Sequence, residues 1–188
     1  MTPSVLECFI LSLLDRGLET PYDLQRVGGI SIGSSLPALR RLELALCIKR
    51  KAVTSVGNRV RHGYRLLAEG KRLARDGWRL HLQDDGTKDI EAIFRLVDIA
   101  HFQKAEPSLM AILLEPAIAA RTHRARKTHA KSRESSGLDM YRTLREDWNM
   151  ARLAAEGKFL AGLANSISRS APTATRDERG NPASRAMR

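Results

Sequence analysis

The sequence predicts a mainly α-helical protein, in which a helix-turn-helix and a short two-stranded hairpin come first and an α-helical dimerisation domain follows. The composition supports this fold class, because 43% of the 188 residues are hydrophobic but only 5% are aromatic, as in helical cores built on Leu, Ile and Ala. Apolar residues recur at spacings of three and four along most of the chain, and they alternate with polar ones only between Arg59 and Leu66.

Three regions are expected. Residues 1–83 form the first domain and residues 84–167 the second, because Asp84-Asp85-Gly86-Thr87 interrupts the helical pattern between them. Residues 168–188 lack apolar periodicity, which predicts a disordered basic tail. The net charge of +11 belongs mainly to the first region and the tail, since residues 1–83 hold 14 Lys or Arg against 7 acids. A polyanionic partner, nucleic acid before a membrane surface, is therefore expected.

Two helices with clear start signals open the chain. The first is predicted from Pro3 to Leu14, with Pro3 at the first helical position, where proline costs no hydrogen bond. The second begins at Thr20, which forms a capping-box pattern with Asp23. Gly28-Gly29 then supplies the turn toward a third helix.

The third predicted helix, Ser34 to Leu46, is the candidate for reading DNA. Ser34 is its expected N-cap, which places Pro37 in the first turn. The expected buried stripe is Leu36, Leu39, Leu42 and Leu46. The expected outer face is Ser34, Ala38 and Arg41, with Arg40 on its flank. Small and basic residues that face outward suit a DNA major groove, because short side chains allow close approach and arginine binds guanine.

A basic run and a hairpin follow this helix. From Arg59 to Leu66 the even positions are mostly apolar and the odd positions are mostly basic, which predicts a strand with one buried and one basic face. Gly57-Asn58 marks the tip of the hairpin. An ordinary solvated hairpin would show the same pattern, but lysines and arginines on both arms, beside a reading helix, favour a wing that contacts DNA. A helix from Ala68 to Leu82 should then pack through Leu73, Trp78 and Leu82.

Several of these residues also fit a family pattern. The pattern joins a tyrosine-plus-acid start of the second helix, a Ser-x-x-Pro-Ala-Leu-x-x-Leu-Glu third helix, and a Tyr-x-Leu strand end followed by glycine. The residues that match are Tyr22, Asp23, Ser34, Pro37, Ala38, Leu39, Leu42, Glu43, Tyr64, Leu66 and Gly70. Over roughly the first 80 residues the chain thus resembles PadR-family bacterial transcriptional regulators. The resemblance implies a winged helix-turn-helix that binds DNA, and a repressor.

Three positions depart from that pattern. Leu36 stands where the family usually has tyrosine, and Ala45-Leu46 replaces the glycine that commonly ends the reading helix. Leu67 replaces a threonine, which removes an N-cap from the helix after the wing.

The second region is predicted to be helical. Asp89 to Glu106 is amphipathic, and its apolar stripe is Ile90, Ile93, Phe94, Val97 and Ala100. Pro107 and Pro116 should divide residues 108–120 into two short apolar pieces. The segment from Arg121 to Arg133 contains six Lys or Arg, two His and no acid, so it is either a solvated helix end or loop, or an auxiliary phosphate contact.

A capping-box pattern at Ser136 and Asp139 predicts a last helix that runs to about Ile167. Apolar residues on it alternate spacings of three and four, like a coiled-coil seam. Such a stripe can be intramolecular core, but two copies are needed to read a symmetric operator, which favours dimerisation. The predicted dimer contacts are Tyr141, Leu144, Trp148, Ala151, Ala155 and Phe159. The predicted DNA contacts are Ser34, Ser35, Pro37, Ala38, Arg40, Arg41, Lys49, Lys51, Arg59, Arg61 and Arg65.

Other functions find little support in the sequence. Cys8 and Cys47 have no metal-ligand or disulfide spacing, so buried thiols are expected, with redox sensing as the alternative. No catalytic motif, metal-ligand cluster or phosphate-binding glycine loop occurs, which predicts neither an enzyme nor a cofactor. The absence of a signal peptide or membrane span in the sequence predicts a cytoplasmic protein that does not bind a membrane.

The combined interpretation is a transcriptional regulator that binds a palindromic operator in double-stranded DNA as a homodimer. An unidentified small-molecule effector remains open as a further partner. The alternative is a helical adaptor whose winged helix binds protein, and a third reading is a nonspecific nucleic-acid coating protein. Only the two DNA-binding readings predict duplex affinity that falls steeply with salt, and only the first predicts sequence preference.

Overall fold

The computed structural model describes residues 2–54, 60–82, 89–134 and 140–170. Within these ranges the elements are α1 (Val5–Asp15), α2 (Pro21–Arg26), α3 (Ile32–Leu44), β1 (Ile48–Thr54), β2 (Val60–Leu66), α4 (Ala68–Asp76), a 3-10 helix (Gly77–His81), α5 (Ile90–Phe102), α6 (Pro107–Glu134) and α7 (Met140–Ser170). The two strands form one antiparallel sheet. The predicted fold class, a winged helix-turn-helix with a short two-stranded wing followed by helices, is confirmed.

Helix α1 lies at the centre of the N-terminal part. It contacts α3, α4, α5 and β2, and every residue from Glu7 to Leu14 is buried. A helix that is buried on all sides must be surrounded by other elements. The predicted start at Pro3 is wrong, since α1 begins at Val5 and the Ser4 hydroxyl accepts a hydrogen bond from the Glu7 N–H. Ser4 is the cap because the Glu7 carboxylate completes a capping box with it.

The helix-turn-helix follows the predicted signals more closely. Thr20 and Asp23 form the expected capping box at the start of α2. The turn that follows approaches α1 closely, because a Cβ atom added to Gly28 would lie 2.5 Å from Cδ1 of Leu13 and 2.7 Å from the carbonyl oxygen of Leu24. Gly28 is therefore required by the packing of the turn against α1.

The base of the wing is attached to both neighbouring segments. The N–H of Tyr64 donates to the carbonyl of Glu19 at 2.8 Å, and the N–H of Leu67 donates to the carbonyl of Cys47 at 2.9 Å. A Cβ atom on Gly70 would lie only 2.0 Å from that same Cys47 oxygen. The close approach of α4 to the start of β1 explains why glycine follows the strand at this position.

The segment after the wing is helical, but it changes from an α-helix to a 3-10 helix before it ends. The predicted helix from Ala68 to Leu82 is α4 followed by the 3-10 helix, and Leu73, Trp78 and Leu82 are all buried as expected. No side-chain hydrogen bond caps α4, in agreement with Leu67 at the N-cap position.

In the second region, α5 begins after Asp89, whose carboxylate accepts the Ala92 N–H. Its buried face is wider than predicted, since Leu96 and Ile99 are buried together with Ile93 and Ala100. Two clusters share this face, because Leu96 and Ile99 belong to the core around α1, whereas Ile93 belongs to a smaller cluster with α6 and α7.

The predicted division of the next segment at Pro107 and Pro116 is wrong. Helix α6 runs without interruption from Pro107 to Glu134 and passes through Pro116. Proline at the first helical position costs nothing, and the lost hydrogen bond at Pro116 is offset by burial of Leu113, Leu114 and Ala117 around it.

The buried core crosses the predicted boundary at residues 83 and 84. The cluster around α1 includes residues of α5 and α6, so these helices pack against the winged helix. The interrupting residues 84–87 and the start of the last predicted helix, 136–139, lie outside the described residues. Helix α7 continues to Ser170, slightly past the predicted end, and the remainder of the predicted tail also lies outside them.

Candidate nucleic-acid interface

Helix α3 buries a different face from the one predicted. Its buried residues are Ser35, Ala38, Leu39 and Leu42, which follow the helical spacings of three and four. Leu36 and Leu46 are exposed, and Ser35 and Ala38 are fully buried, so the predicted DNA contacts at Ser35 and Ala38 are wrong. The leucine stripe misled the prediction because small residues also suit the buried face, and the Ser35 hydroxyl is satisfied by the Ile32 carbonyl.

The start of α3 is also earlier than predicted. Ser31 is the N-cap, and its hydroxyl accepts the Ser34 N–H at 3.2 Å and donates to the Ser34 hydroxyl at 2.9 Å. Pro37 consequently lies inside the helix and not in its first turn. Its missing N–H leaves the Gly33 carbonyl without the usual helical donor at a place where both residues are exposed to water.

The outer face of α3 is centred on Arg40. This residue is exposed, and no ion pair or hydrogen bond holds it within the described part of the chain. Leu36 precedes it by one turn and is 47% exposed, and Leu44 follows it by one turn and is 83% exposed. Residues four apart lie on the same side of a helix, so one arginine stands between two exposed leucines.

Arg41 has a different environment from its neighbour. Its Nε donates to Oε1 of Glu7 at 2.6 Å, and Glu7 is buried at the start of α1. The Arg41 side chain is 54% exposed, but this bond directs its guanidinium toward α1 rather than outward. Burial alone would raise the pKa of Glu7, yet hydrogen bonds from Ser4 and Arg41 outweigh burial and hold the pKa below its usual value. The central outward position that the sequence assigned to Arg41 therefore belongs to Arg40.

One face of the sheet is basic. Lys49 of β1 and Arg65 of β2 are directly opposite each other, and both are exposed. Lys51 lies on the same face, but its ammonium group pairs with Glu19 at 2.5 Å. The predicted alternation holds at Tyr64, which is buried, and at Arg65, which is exposed, but it is wrong at the two preceding positions, since His62 is exposed and Gly63 is buried.

The two predicted residues near the wing tip are less fully described. Arg59 lies outside the described residues, and for Arg61 only the backbone in β2, opposite Val53, is described. By register Arg61 occupies the same sheet face as Arg65, four positions apart in residue number.

Helix α3 and the base of the sheet enclose one cleft. It has a volume of about 420 Å³ and is lined by Leu36, Pro37, Arg40, Arg41, Leu44, Arg50 and Tyr64. Arg50 in this cleft pairs with Glu43 at 3.0 Å. The cleft therefore brings cationic groups and apolar side chains of α3 together with the sheet face that carries Arg50 and Tyr64, whereas Lys49 and Arg65 lie on the other face.

The predicted dimer residues lie on an exposed face of α7. Tyr141, Leu144, Trp148 and Phe159 are each more than half exposed, and Ala151 and Ala155 are exposed as well. The opposite face packs on α6, where Leu160 is buried and Nε of Arg121 bonds to Oε2 of Glu156 at 2.8 Å. Arg121 therefore belongs to the interface between these helices, whereas residues 122–124, 126 and 127 of the basic segment are exposed.

Neither cysteine is exposed. Burial raises the pKa of the Cys8 thiol to about 12, with the charge of Glu7 as a second cause, and burial also raises the pKa of Cys47. Such thiols are poor nucleophiles, which favours a packing role over redox sensing. Within the described ranges, no cluster of His, Cys, Asp or Glu could hold a metal ion, and no helix is both long and apolar enough to cross a membrane.

Comparisons with known proteins add one structural similarity. No protein-family model matches the sequence, and neither does a curated protein. The crystal structure of Bacillus subtilis PadR in complex with operator DNA is similar over 87% of this chain and 97% of that chain, with 18% sequence identity and a TM-score of 0.39. The winged-helix arrangement follows from the order of the elements, the two-stranded wing and the contacts of α3 with α1 and α2.

Proposed function

We propose that this chain is a DNA-binding transcriptional regulator that recognises a specific duplex sequence through α3 and the wing. The observation that carries the proposal is the exposed Arg40, which lines one cleft with Arg50 of β1, together with the exposed basic pair Lys49 and Arg65 on the other face of the sheet. Like charges at directly opposed positions destabilise a sheet. A DNA duplex offers a partner for each of these groups. Its phosphates would neutralise the charges of Lys49 and Arg65, and its base edges would accept hydrogen bonds from Arg40.

The structure changes the set of residues that we assign to DNA. Arg40 is the proposed base reader, and Ser34 and Pro37 lie on the same exposed part of α3. Lys49 and Arg65 are the proposed phosphate contacts. Arg41 and Lys51 are already ion-paired, so they would contact DNA only by leaving Glu7 and Glu19. Contacts from Arg59 and Arg61 stay predictions.

We also propose that the regulator is a homodimer joined through α7. The exposed stripe carries three aromatic rings, Tyr141, Trp148 and Phe159, along a helix whose other face is occupied by α6. Contiguous exposed apolar surface of this kind usually marks a protein interface. A two-fold dimer would present two α3 helices to a palindromic operator.

The decisive experiment is a pair of salt titrations on DNA. Duplexes selected from a randomised library and scrambled duplexes of equal length are titrated with the protein by fluorescence anisotropy at several salt concentrations. The affinity should fall steeply with salt, and the selected duplex should bind more tightly at every concentration. Lys49→Gln and Arg65→Gln should each make the slope of log K against log salt shallower by about 0.9.

A matched charge control makes the assignment specific. Arg72→Gln removes the same charge from α4, where Arg72 pairs with Glu69, and should leave the slope unchanged. A protein that shows no salt-dependent duplex binding is not a DNA-binding regulator. A steep slope without preference for the selected duplex would instead indicate a nonspecific coating protein. Repression or activation is then decided with a reporter gene placed downstream of the selected site.

The adaptor alternative has one observation in its favour. Leu36 and Leu44 expose apolar surface on the proposed reading helix, as a protein-binding helix would. The protein partner of such an adaptor would also cover Arg40, and burial of an unpaired guanidinium in an apolar interface is costly. The absence of duplex affinity in the titration above would favour the adaptor.

A further inference from the structure

Two exposed leucines on α3 point to the kind of base pair that the helix reads. Leu36 and Leu44 are each one turn from Arg40, on the side of α3 that lines the cleft with the wing. The cleft also contains Arg40, so whatever covers the leucines must satisfy an arginine between them. This combination constrains the occupant more strongly than either an apolar patch or a basic patch would alone.

The major groove of DNA offers both chemistries on one surface. The C5-methyl group of thymine is the apolar group that base pairs present there, and guanine presents the O6 and N7 acceptors that arginine binds as a pair. Lys49 and Arg65, exposed on the sheet face opposite the cleft, supply cationic groups for phosphates. An apolar protein partner could cover the leucines, but it would leave the Arg40 charge buried without these acceptors.

The spacing along the helix gives the spacing along the duplex. Four residues of α-helix rise about 6 Å, so each leucine lies about 6 Å from Arg40 along the axis. Base pairs are stacked at about 3.4 Å, so 6 Å corresponds to about two base steps when the helix lies along the groove.

We infer that each half-site contains a guanine bound by Arg40 and, about two base steps to either side, thymine methyl groups that contact Leu36 and Leu44. The inference rests on the proposed DNA-binding function and specifies its sequence preference. It assigns a reading role to two leucines that are exposed on α3. Leu36 is the residue at which the sequence departs from the tyrosine of the PadR pattern, so its contact is specific to this chain.

The test changes single groups on the DNA. In the selected duplex, thymine is replaced by uracil one position at a time, which removes only the methyl group and leaves base pairing intact. Replacement at the two flanking positions should weaken binding about four-fold each, the value expected for one methyl group that is no longer buried. Replacement of the guanine by 7-deazaguanine, which lacks the N7 acceptor, should weaken binding about ten-fold.

Protein variants assign each effect to a residue. Leu36→Ala and Leu44→Ala should each abolish the thymine-to-uracil difference at one flanking position, and Arg40→Ala should abolish the 7-deazaguanine effect. Leu80→Ala is the matched control, because Leu80 on the 3-10 helix is 63% exposed, a value between those of Leu36 and Leu44, and does not line the cleft. It should change none of these ratios.

The outcomes separate this inference from the function on which it rests. Salt-dependent, sequence-selective binding that is insensitive to uracil at every position overturns the inference and leaves the proposed function intact. Thymine-to-uracil differences that persist in both leucine variants overturn it as well. The absence of any selected duplex overturns both.

Discussion

The two tryptophans of this chain lie in opposite environments. Trp78 is fully buried beside α1, and its indole N–H donates to the Arg75 carbonyl at 2.9 Å. Trp148 is 67% exposed on the outer face of α7. The largest side chain of the N-terminal region thus lies in the buried core, whereas the helical region leaves a side chain of the same type exposed to water.

The difference indicates what each region needs from outside. The N-terminal region buries its apolar side chains in the core around α1, to which α5 and α6 contribute, and places cationic groups on its surface, so the partner that it lacks is an anion. The helical region has nearly balanced charges, with 13 Lys or Arg against 12 acids over residues 84–165, and an apolar stripe outside. Its missing partner is apolar, which fits a second copy of the same helix.

The largest difference in stability between the two regions is expected for a pair of glycine substitutions. Gly70→Ala places a Cβ atom 2.0 Å from the carbonyl oxygen of Cys47, so α4 must move away from the strand. We expect a loss of about 5 kcal/mol in the free energy of unfolding, at the extreme of single substitutions. Urea denaturation followed by circular dichroism measures the effect.

The control lies in the other region. A Cβ atom on Gly162 of α7 would meet nothing within 4 Å, and the position is exposed. Gly162→Ala should therefore stabilise the helix by about 0.5–1 kcal/mol. Equal effects of the two substitutions would show that α4 and the strand are not as close as the structure describes.

The tryptophans themselves give the second prediction. Trp78→Ala should cost about 3–5 kcal/mol in the free energy of unfolding, because it removes a large buried side chain. Trp148→Ala should instead weaken the dimer by about 3–5 kcal/mol if the site is core-like in the assembly, and DNA affinity should fall with it. Urea denaturation measures the free energy of unfolding, sedimentation equilibrium measures the dimer affinity, and fluorescence anisotropy measures the DNA affinity.

Tryptophan fluorescence gives an independent readout of the same comparison. In the Trp78→Phe variant the remaining emission comes from Trp148, and dilution of the dimer should shift it to longer wavelength as the ring becomes exposed. An unchanged dimer in Trp148→Ala, or a monomer in the parent protein, would contradict the proposed interface.

The prediction from the sequence succeeded where local signals have a single solution. Thr20 and Asp23 specify a capping box, and the alternation around Tyr64 and Arg65 specifies which face of the strand is buried. On α3, the regular leucine spacing predicted the wrong buried face, because Ser35 and Ala38 are small enough to pack there, and Ser31 rather than Ser34 caps the helix. The contact between Arg41 and Glu7 joins residues 34 positions apart, so no local pattern could have revealed it.

The third prediction concerns pH and the Glu7–Arg41 pair. The pKa of Glu7 is lowered in the folded state, so the carboxylate stabilises the fold above the ordinary pKa of glutamate, and this contribution is lost as the pH falls through the folded pKa. Glu7→Gln should cost about 1–2 kcal/mol at pH 7, from the loss of charged hydrogen bonds to Ser4 and Arg41. The difference from the parent protein should stay constant from pH 7 to about 5 and shrink below about pH 4.

The matched control is Glu43→Gln. Glu43 pairs with Arg50 in the same region, but both side chains are partly exposed, so the substitution should cost less than about 1 kcal/mol at pH 7. Urea midpoints of the variants at several pH values measure both effects. If the two variants lose equal stability, the pair between α1 and α3 is no stronger than a surface pair.

The smallest expected effect on stability is found at one helix end in each region. Here the two regions should respond equally to substitution. Leu46 after α3 and Lys104 after α5 both have positive φ, 55° and 50°, in turns that L-residues rarely adopt. Both ends have the same hydrogen bonds, since the N–H groups of Cys47 and Ala105 donate to Leu42 and Ala100, as in a Schellman motif. Leu46→Gly and Lys104→Gly should each stabilise the protein by about 0.5–1 kcal/mol, because relief of the left-handed strain exceeds the entropy lost by glycine. Thermal unfolding of both variants measures this, and destabilisation by Leu46→Gly alone would mean that the exposed leucine makes a contact in the assembled protein.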